Sequence, residues 1–218
     1  MLRSLRYLSV FAALLWVAAT PARAEDKPLV DSKSEQSLPA GGRPSDSLTG
    51  FIMEAIGPEW KARINDCLAE NELPKGHYAL VLEAVQIKHG LGPSLWFVRP
   101  TIEPFCMALY GAHLFNYFLV EQDPSEAKPR YRLLFQNGGD GFAIYPQLSH
   151  GLNDIEATGC IATGCRSVRM SFDGQEYRPE RCKQIHLNND QEVVVTRQCG
   201  SDSGRDDQAS GFDPPSGH

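Results

Sequence analysis

YRLLFQNGGDGFAIYPQLSHGLNDIEATGCIATGCRSVRMSFDGQEY, residues 131–177, alternates short apolar runs with clusters of Gly, Asn and Asp. Tyr131, Leu133 and Phe135 share one side of a period-2 pattern, with Arg130, Arg132 and Gln136 opposite, which marks a half-buried strand. NGGDG (137–141) supplies the residue types that tolerate positive φ in tight hairpin turns. Phe142 and Ile144 resume a strand, and Pro146 ends it. SHGLND (149–154) reads as a second turn. Val168, Met170 and Phe172 then alternate with Ser167, Arg169 and Ser171, FDGQ (172–175) turns the chain, and Tyr177 begins a return strand. Short strands and turns at this spacing predict an antiparallel sheet built from hairpins.

Outward from that stretch, Ser47 caps a short helix over Leu48–Ile56, and Gly57-Pro58 breaks it. Proline suits the first turn of a following helix. That helix, Pro58–Glu70, carries Trp60, Ile64, Cys67 and Leu68 at i, i+4, i+7 and i+8, an amphipathic, core-facing spacing. Tyr78–Lys88 and Leu95–Val98, separated by a Gly/Pro turn, form a hairpin. Leu114–Val120 (LFNYFLV) is apolar on both faces. It reads as a central strand covered on both sides, the second cover being the N-terminal helices. Val193-Val194-Val195 adds a last strand. The expected fold is α+β: two short N-terminal helices packed on one antiparallel sheet of about six to eight strands.

The chain has 218 residues and a formal charge of −6. Arg3 and Arg6, the apolar-rich run Leu8–Ala19 and the Ala22-Arg23-Ala24 site form a secretory signal peptide, residues 1–24, cut before Glu25. Removing it takes away Arg3, Arg6 and Arg23 and leaves 18 Lys plus Arg against 27 Asp plus Glu, a net charge of −9. An acidic chain without a basic stripe argues against nucleic acid and anionic membrane surfaces as partners. No later run is long and apolar enough to span a bilayer. Residues 25–46 lack periodicity and read as a flexible leader. Residues 47–199 form one domain, and 200–218 are a polar, disordered tail.

Cys67, Cys106, Cys160, Cys165, Cys182 and Cys199 all follow the signal. An even number in an exported chain suggests disulfides. Cys160 and Cys165 flank a four-residue hairpin loop, which sets them opposite each other and suits a cross-strand bridge. Cys67–Cys106 and Cys182–Cys199 are the expected pairings of the rest. Cys-x4-Cys lacks a second ligand pair at matching distance, so no zinc site is expected.

FVRP (97–100), LYGAHLFNYFLV (109–120), SHGLNDI (149–155) and FDGQEY (172–177) occur together. In these the chain resembles a group of uncharacterised secreted or periplasmic bacterial proteins with an S-x-G-x-x-D-[IL] turn followed by an F-D-G-x-x-Y hairpin. The similarity covers roughly residues 78–182. It implies export and a compact sheet-rich domain, and it carries no activity to transfer.

No G-x-S-x-G elbow, H-E-x-x-H pair or Gly-rich phosphate loop ahead of a helix is present, and no cofactor or metal is expected. His113, at the head of the most apolar strand, is the candidate catalytic base; a strand-end histidine bonded to backbone is the alternative. Arg99 is a candidate binding residue, since Pro100 holds it extended and its guanidinium could clamp a carboxylate inside the fold or at a pocket mouth. Asp154 is the other. With Asp140 and Asn153 it could ligate calcium, but the order of ligands of a calcium loop is missing. The leading expectation is an exported cell-envelope protein, periplasmic or secreted. It would be a non-catalytic binding module for an envelope protein or cell-wall component. The alternative is a periplasmic hydrolase using His113 with an unlocated partner.

Overall fold

The computed structural model describes residues 27–34, 36–88, 93–104, 106–110, 115–123, 129–188 and 191–199. The signal stretch 1–24, residues 89–92 of the expected Gly/Pro turn, His113 and the tail 200–218 lie outside the described residues.

The described chain runs β1 (Val30–Lys33), α1 (Asp46–Ala55), α2 (Gly57–Glu70), β2 (Leu82–Ile87), β3 (Ser94–Pro100), β4 (Phe115–Asp123), β5 (Arg130–Gly139), β6 (Gly141–Ser149), β7 (Leu152–Ile161), β8 (Gly164–Phe172), β9 (Tyr177–Asn188) and β10 (Gln191–Gln198). Short 3-10 turns over Tyr78–Val81 and Met107–Leu109 precede β2 and β4. The strands form two antiparallel sheets, one of six in the order β1-β6-β7-β8-β9-β10 and one of four in the order β2-β3-β4-β5. The single helix-backed sheet expected from the sequence is therefore corrected: the fold is a β-rich sandwich with two helices on one outer face.

β4 shows how three layers are made. Phe115, Tyr117 and Leu119 enter the core between the sheets, while Phe118 and Val120 enter a second core against the helices. All five are buried, and a fully buried large apolar side chain contributes about 1.5–3 kcal/mol. The two-sided cover expected for this strand is present. From α1 come Leu48, Ile52 and Met53, and from α2 Ile64, Cys67 and Leu68. Ser45, two residues before the expected cap, accepts the Leu48 N–H at 3.3 Å. Gly57, at φ 79°, turns α1 into α2. Across the sandwich, the Phe142 ring of β6 sits 4.9 Å from Phe97 and 4.6 Å from Tyr117.

The departure from the expected fold is concentrated in NGGDG. Asn137, Gly138 and Gly139 are not a hairpin turn. They pair with Tyr117, Asn116 and Phe115 and finish β5. At Asp140 the chain then leaves the four-stranded sheet and enters the six-stranded one. Gly139 is needed there because a Cβ would lie 2.7 Å from the Thr158 carbonyl oxygen and 3.3 Å from the Tyr117 hydroxyl. Two of the three bulges among the described strands fall in stretches that the alternation was read from. Leu119 pairs with Phe135 and Val120 with Leu133, so Leu134 is extra. Tyr131 and Leu133 consequently pack toward the helices and Phe135 toward the sandwich, on opposite faces rather than one. β6 does not end at Pro146. Tyr145, Pro146 and Gln147 bulge between the pairs Ile144–Ile155 and Leu148–Asn153, a position that tolerates proline.

The other turns fall where the sequence reading put them but two are shorter than expected, since Leu152–Asp154 of SHGLND already belong to β7. His150 and Gly151, at φ 50° and 84°, make the two-residue β6–β7 turn. Asp173 Oδ1 accepts the Gln175 and Glu176 N–H groups in the β8–β9 turn. Cys160 and Cys165 are paired across β7 and β8, although Ile161 also pairs with Gly164, so the loop has two residues rather than four. The three disulfides are Cys67–Cys106, Cys160–Cys165 and Cys182–Cys199.

The described part of the expected leader is also corrected. β1 pairs with β6 from Val30–Ile144 to Lys33–Gly141, and Val30, Ser32 and Leu38 are buried. Four residues, VDSK, are too few to show a period against a polar background, yet they close one edge of the six-stranded sheet.

The close approach at the crossover yields a test. Gly139→Ala forces the Thr158 strand aside and is expected to cost about 1–3 kcal/mol in urea unfolding. Gly138→Ala, whose Cβ would meet nothing closer than 3.6 Å, is expected to stay near wild type. Equal stability of the two variants would contradict the crossover geometry.

Candidate functional site

Arg99 is fully buried on β3. Its Nη1 donates to Ser32 Oγ at 2.7 Å and the Lys33 carbonyl at 2.6 Å, and its Nη2 to the Ser34 carbonyl at 3.3 Å and Tyr110 Oη at 3.1 Å. Nε reaches the Pro100 carbonyl and Glu83 Oε1, each at 3.2 Å. The Phe115 ring lies 4.3 Å below the guanidinium. The guanidinium thus turns into the fold and clamps β1 to the four-stranded sheet. Glu83 also accepts the Leu38 N–H. Burial pushes its carboxyl above its ordinary value, against the opposing pull of Arg99 and that N–H.

Asp154 sits on the outer face of the six-stranded sheet and is internally satisfied. Ser149 donates to its Oδ1 at 2.7 Å, and Arg169 stands 3.5 Å from its Oδ2. Arg169 also donates to Gln147 and lies 3.4 Å over the Tyr145 ring. Asn153 points the other way and donates to the Tyr145 carbonyl inside the bulge. Asp140 occupies the sheet crossover, where its Oδ2 accepts the Cys160 N–H at 2.6 Å. The three candidate calcium ligands therefore do not converge. Among the described residues no group of three or more His, Cys, Asp or Glu is placed to hold a metal ion.

The candidate site is a trough of about 550 Å³ on the open face of the six-stranded sheet. Its shape follows from register. Ala143 of β6 lies between Asp31 of β1 and Glu156 of β7, and Gly141 lies between Lys33 and Thr158. Two small residues on the middle strand make a floor, and longer polar side chains on the flanking strands make walls. Two interstrand spacings put those walls roughly 10 Å apart at the backbone. Tyr145 closes one end; Asp140, Ser34, Gln36 and Cys160 surround the other.

Three carboxylates, Asp31, Asp140 and Glu156, face one ammonium, Lys33, in the lining. Among the described residues the lining contains no histidine, and its cysteine is disulfide-bonded, so these residues present no activated nucleophile of the Ser–His or Cys–His kind. Neither Arg99 nor Asp154 lines the trough, although Arg99 fixes the Lys33 and Ser34 backbone that does. Sequence reasoning missed Asp31, Lys33 and Glu156. The available signal was Gly141 and Ala143 on the side of β6 opposite Phe142 and Ile144, small residues where a strand's solvent face usually carries longer ones.

No family model, curated protein or solved structure matches the chain. The three disulfides fit an extracellular or otherwise oxidising compartment. Among the described residues no helix is long and apolar enough to cross a membrane.

Glu83 sets a pH test. Its raised carboxyl holds its proton in the folded chain to higher pH than in the unfolded one. The associated stability is complete below its ordinary 4.5 and is lost as pH rises through the folded value. The stability of Glu83→Gln relative to wild type is therefore expected to rise between about pH 4 and about pH 7, read by urea unfolding at each. A flat or falling difference would contradict the burial of this carboxyl.

Proposed function

We propose that this protein is an exported, non-catalytic binding module of the cell envelope, periplasmic or secreted, and that the trough on its six-stranded sheet is the recognition surface. The trough itself carries the reading. It is concave, with charged and hydroxyl groups on both walls and an aromatic ring at one end. Ligand sites are concave and fix their ligand through a few placed polar groups. The lining lacks a nucleophile–base pair, which favours binding over hydrolysis. A hydrolase built on His113 has no support from the described residues, because His113 is not among them.

Of the two partner classes expected from the sequence, the lining chemistry favours a cell-wall component over an envelope protein. Carboxylates, an ammonium and a threonine hydroxyl match the hydroxyl, amide and amine groups of a glycan or a short peptide. The central contact patch of a stable protein interface is more apolar and less charged.

The test is retention of the mature chain on insoluble cell-wall polymer. Wild type is expected to sediment with the polymer. Ala143→Phe, which fills the floor from the solvent side without entering either core, is expected to lose at least about tenfold in affinity, about 1.4 kcal/mol, at an unchanged melting temperature. Retention unaffected by Ala143→Phe, or no retention of wild type, would overturn the reading.

A further inference from the structure

We propose that Cys160–Cys165 is a thiol–disulfide exchange site, opened by a dithiol reductant while the other two bridges stay closed, and that opening it loosens one end of the trough. The regulatory consequence rests on the trough being the binding site; the exchange chemistry does not.

The three disulfides differ in access. Cys67 and Cys106 are both buried in the helix-side core, and Cys182 is buried in the sandwich. Cys160 and Cys165 are both only partly buried, next to Ile161 at 61% exposure and the exposed Ala162 and Thr163. A thiolate must reach a sulfur to exchange with it: Cys67–Cys106 offers none, Cys182–Cys199 offers one partly buried sulfur, on Cys199, and Cys160–Cys165 offers two beside an exposed loop. The bridges also differ in what they constrain. Cys160 and Cys165 are 5 residues apart in sequence, against 39 for Cys67–Cys106 and 17 for Cys182–Cys199. A short loop restricts the unfolded chain least, and the β7–β8 ladder, paired from Ile155–Met170 to Ile161–Gly164, holds the hairpin without the sulfur bridge.

The wiring to the trough is direct. The Cys160 N–H donates to Asp140 Oδ2 at 2.6 Å, the Asp140 N–H to the Thr158 carbonyl at 2.8 Å, and the Ser34 N–H to the Asp140 carbonyl at 3.0 Å. All four residues line the trough. In the exchange, one thiolate of the reductant attacks one sulfur of the pair, and the cystine S–S bond breaks to give a mixed disulfide and one free thiol. The reductant's second thiol then displaces the other cysteine. Two electrons pass to the protein, two cysteine thiols form, and the reductant leaves as its own disulfide.

The experiment treats the mature folded chain with graded dithiothreitol and, in a separate arm, with a reduced Cys-x-x-Cys oxidoreductase. Free thiols are trapped by alkylation and mapped by mass spectrometry, and amide hydrogen exchange is followed on the same samples. Cys160 and Cys165 are expected to be labelled first, with the other four cysteines still paired. The Asp140 and Cys160 amides are expected to exchange faster, on the order of tenfold, and Cys160→Ser/Cys165→Ser is expected to show the same faster exchange without reductant. Opening in both arms supports a site reachable by a protein; opening with dithiothreitol alone supports a small dithiol as its reductant. Another bridge opening first, or all three opening together with loss of structure, would overturn the exchange site. Selective opening with unchanged exchange at Asp140 and Cys160 would overturn the coupling. Neither readout involves a ligand, so both are separate from failure of the binding reading.

Discussion

A single buried guanidinium joins the two sheets. Arg99 is fully enclosed, and an unpaired charge in such a place would not be tolerated. Its charge is met by the Glu83 carboxylate, and its N–H groups by the Ser32 and Tyr110 hydroxyls and by carbonyls on both sides of the sandwich. Three of those acceptors, on Ser32, Lys33 and Ser34, belong to β1 or the residue after it. A four-residue edge strand contributes little burial of its own, and its place in the fold depends on this clamp. A buried pair of this kind adds little net stability compared with apolar packing, but removing one partner strands the other. It acts as a specifier of arrangement: this strand, in this register, at this edge.

The same contact shapes the outer surface. Lys33 and Ser34 give their carbonyls to Arg99 inside while lining the trough outside. Asp31, one residue from the clamped segment, forms the opposite wall from Glu156. Asp140 fastens the far end by accepting from Ser34 and Cys160 and donating to Thr158. The trough proposed as the recognition surface therefore rests on backbone held from within by hydrogen bonds, the support that a binding site needs.

Local pairing was legible in the sequence and long-range assignment was not. The turns at His150-Gly151 and Asp173–Glu176 and the Cys160–Cys165 clasp were readable because each joins strands adjacent in the chain, where residue type alone sets the turn. NGGDG was misread because glycine serves both to reverse a chain and to let two sheets approach, and Gly139 does the second. Its reason, the Thr158 carbonyl, is nineteen residues away. Leu134 breaks the alternation without a sequence mark, so Phe135 was assigned to the wrong face, while Pro146, which marks the Tyr145–Gln147 bulge, was read as the end of a strand. Arg99 was recognisable as a residue held extended by Pro100 and suited to a buried carboxylate. That Glu83 and β1 would be its partners depends on topology. The trough combines residues of three strands, one of them β1, and β1 itself was read as leader, so the site could not be assembled before the fold.

The central claim is that Arg99 makes β1 part of the folding unit. Native-state hydrogen exchange measures this directly. The Leu29 and Ser34 amides, which donate to Ile144 and Asp140, are expected to be protected nearly as strongly as β7 amides in the wild-type chain. In Arg99→Met they are expected to open well before β7, by a local step that leaves the rest of the sandwich folded. Unprotected β1 amides in wild type, or unchanged protection in Arg99→Met, would contradict it.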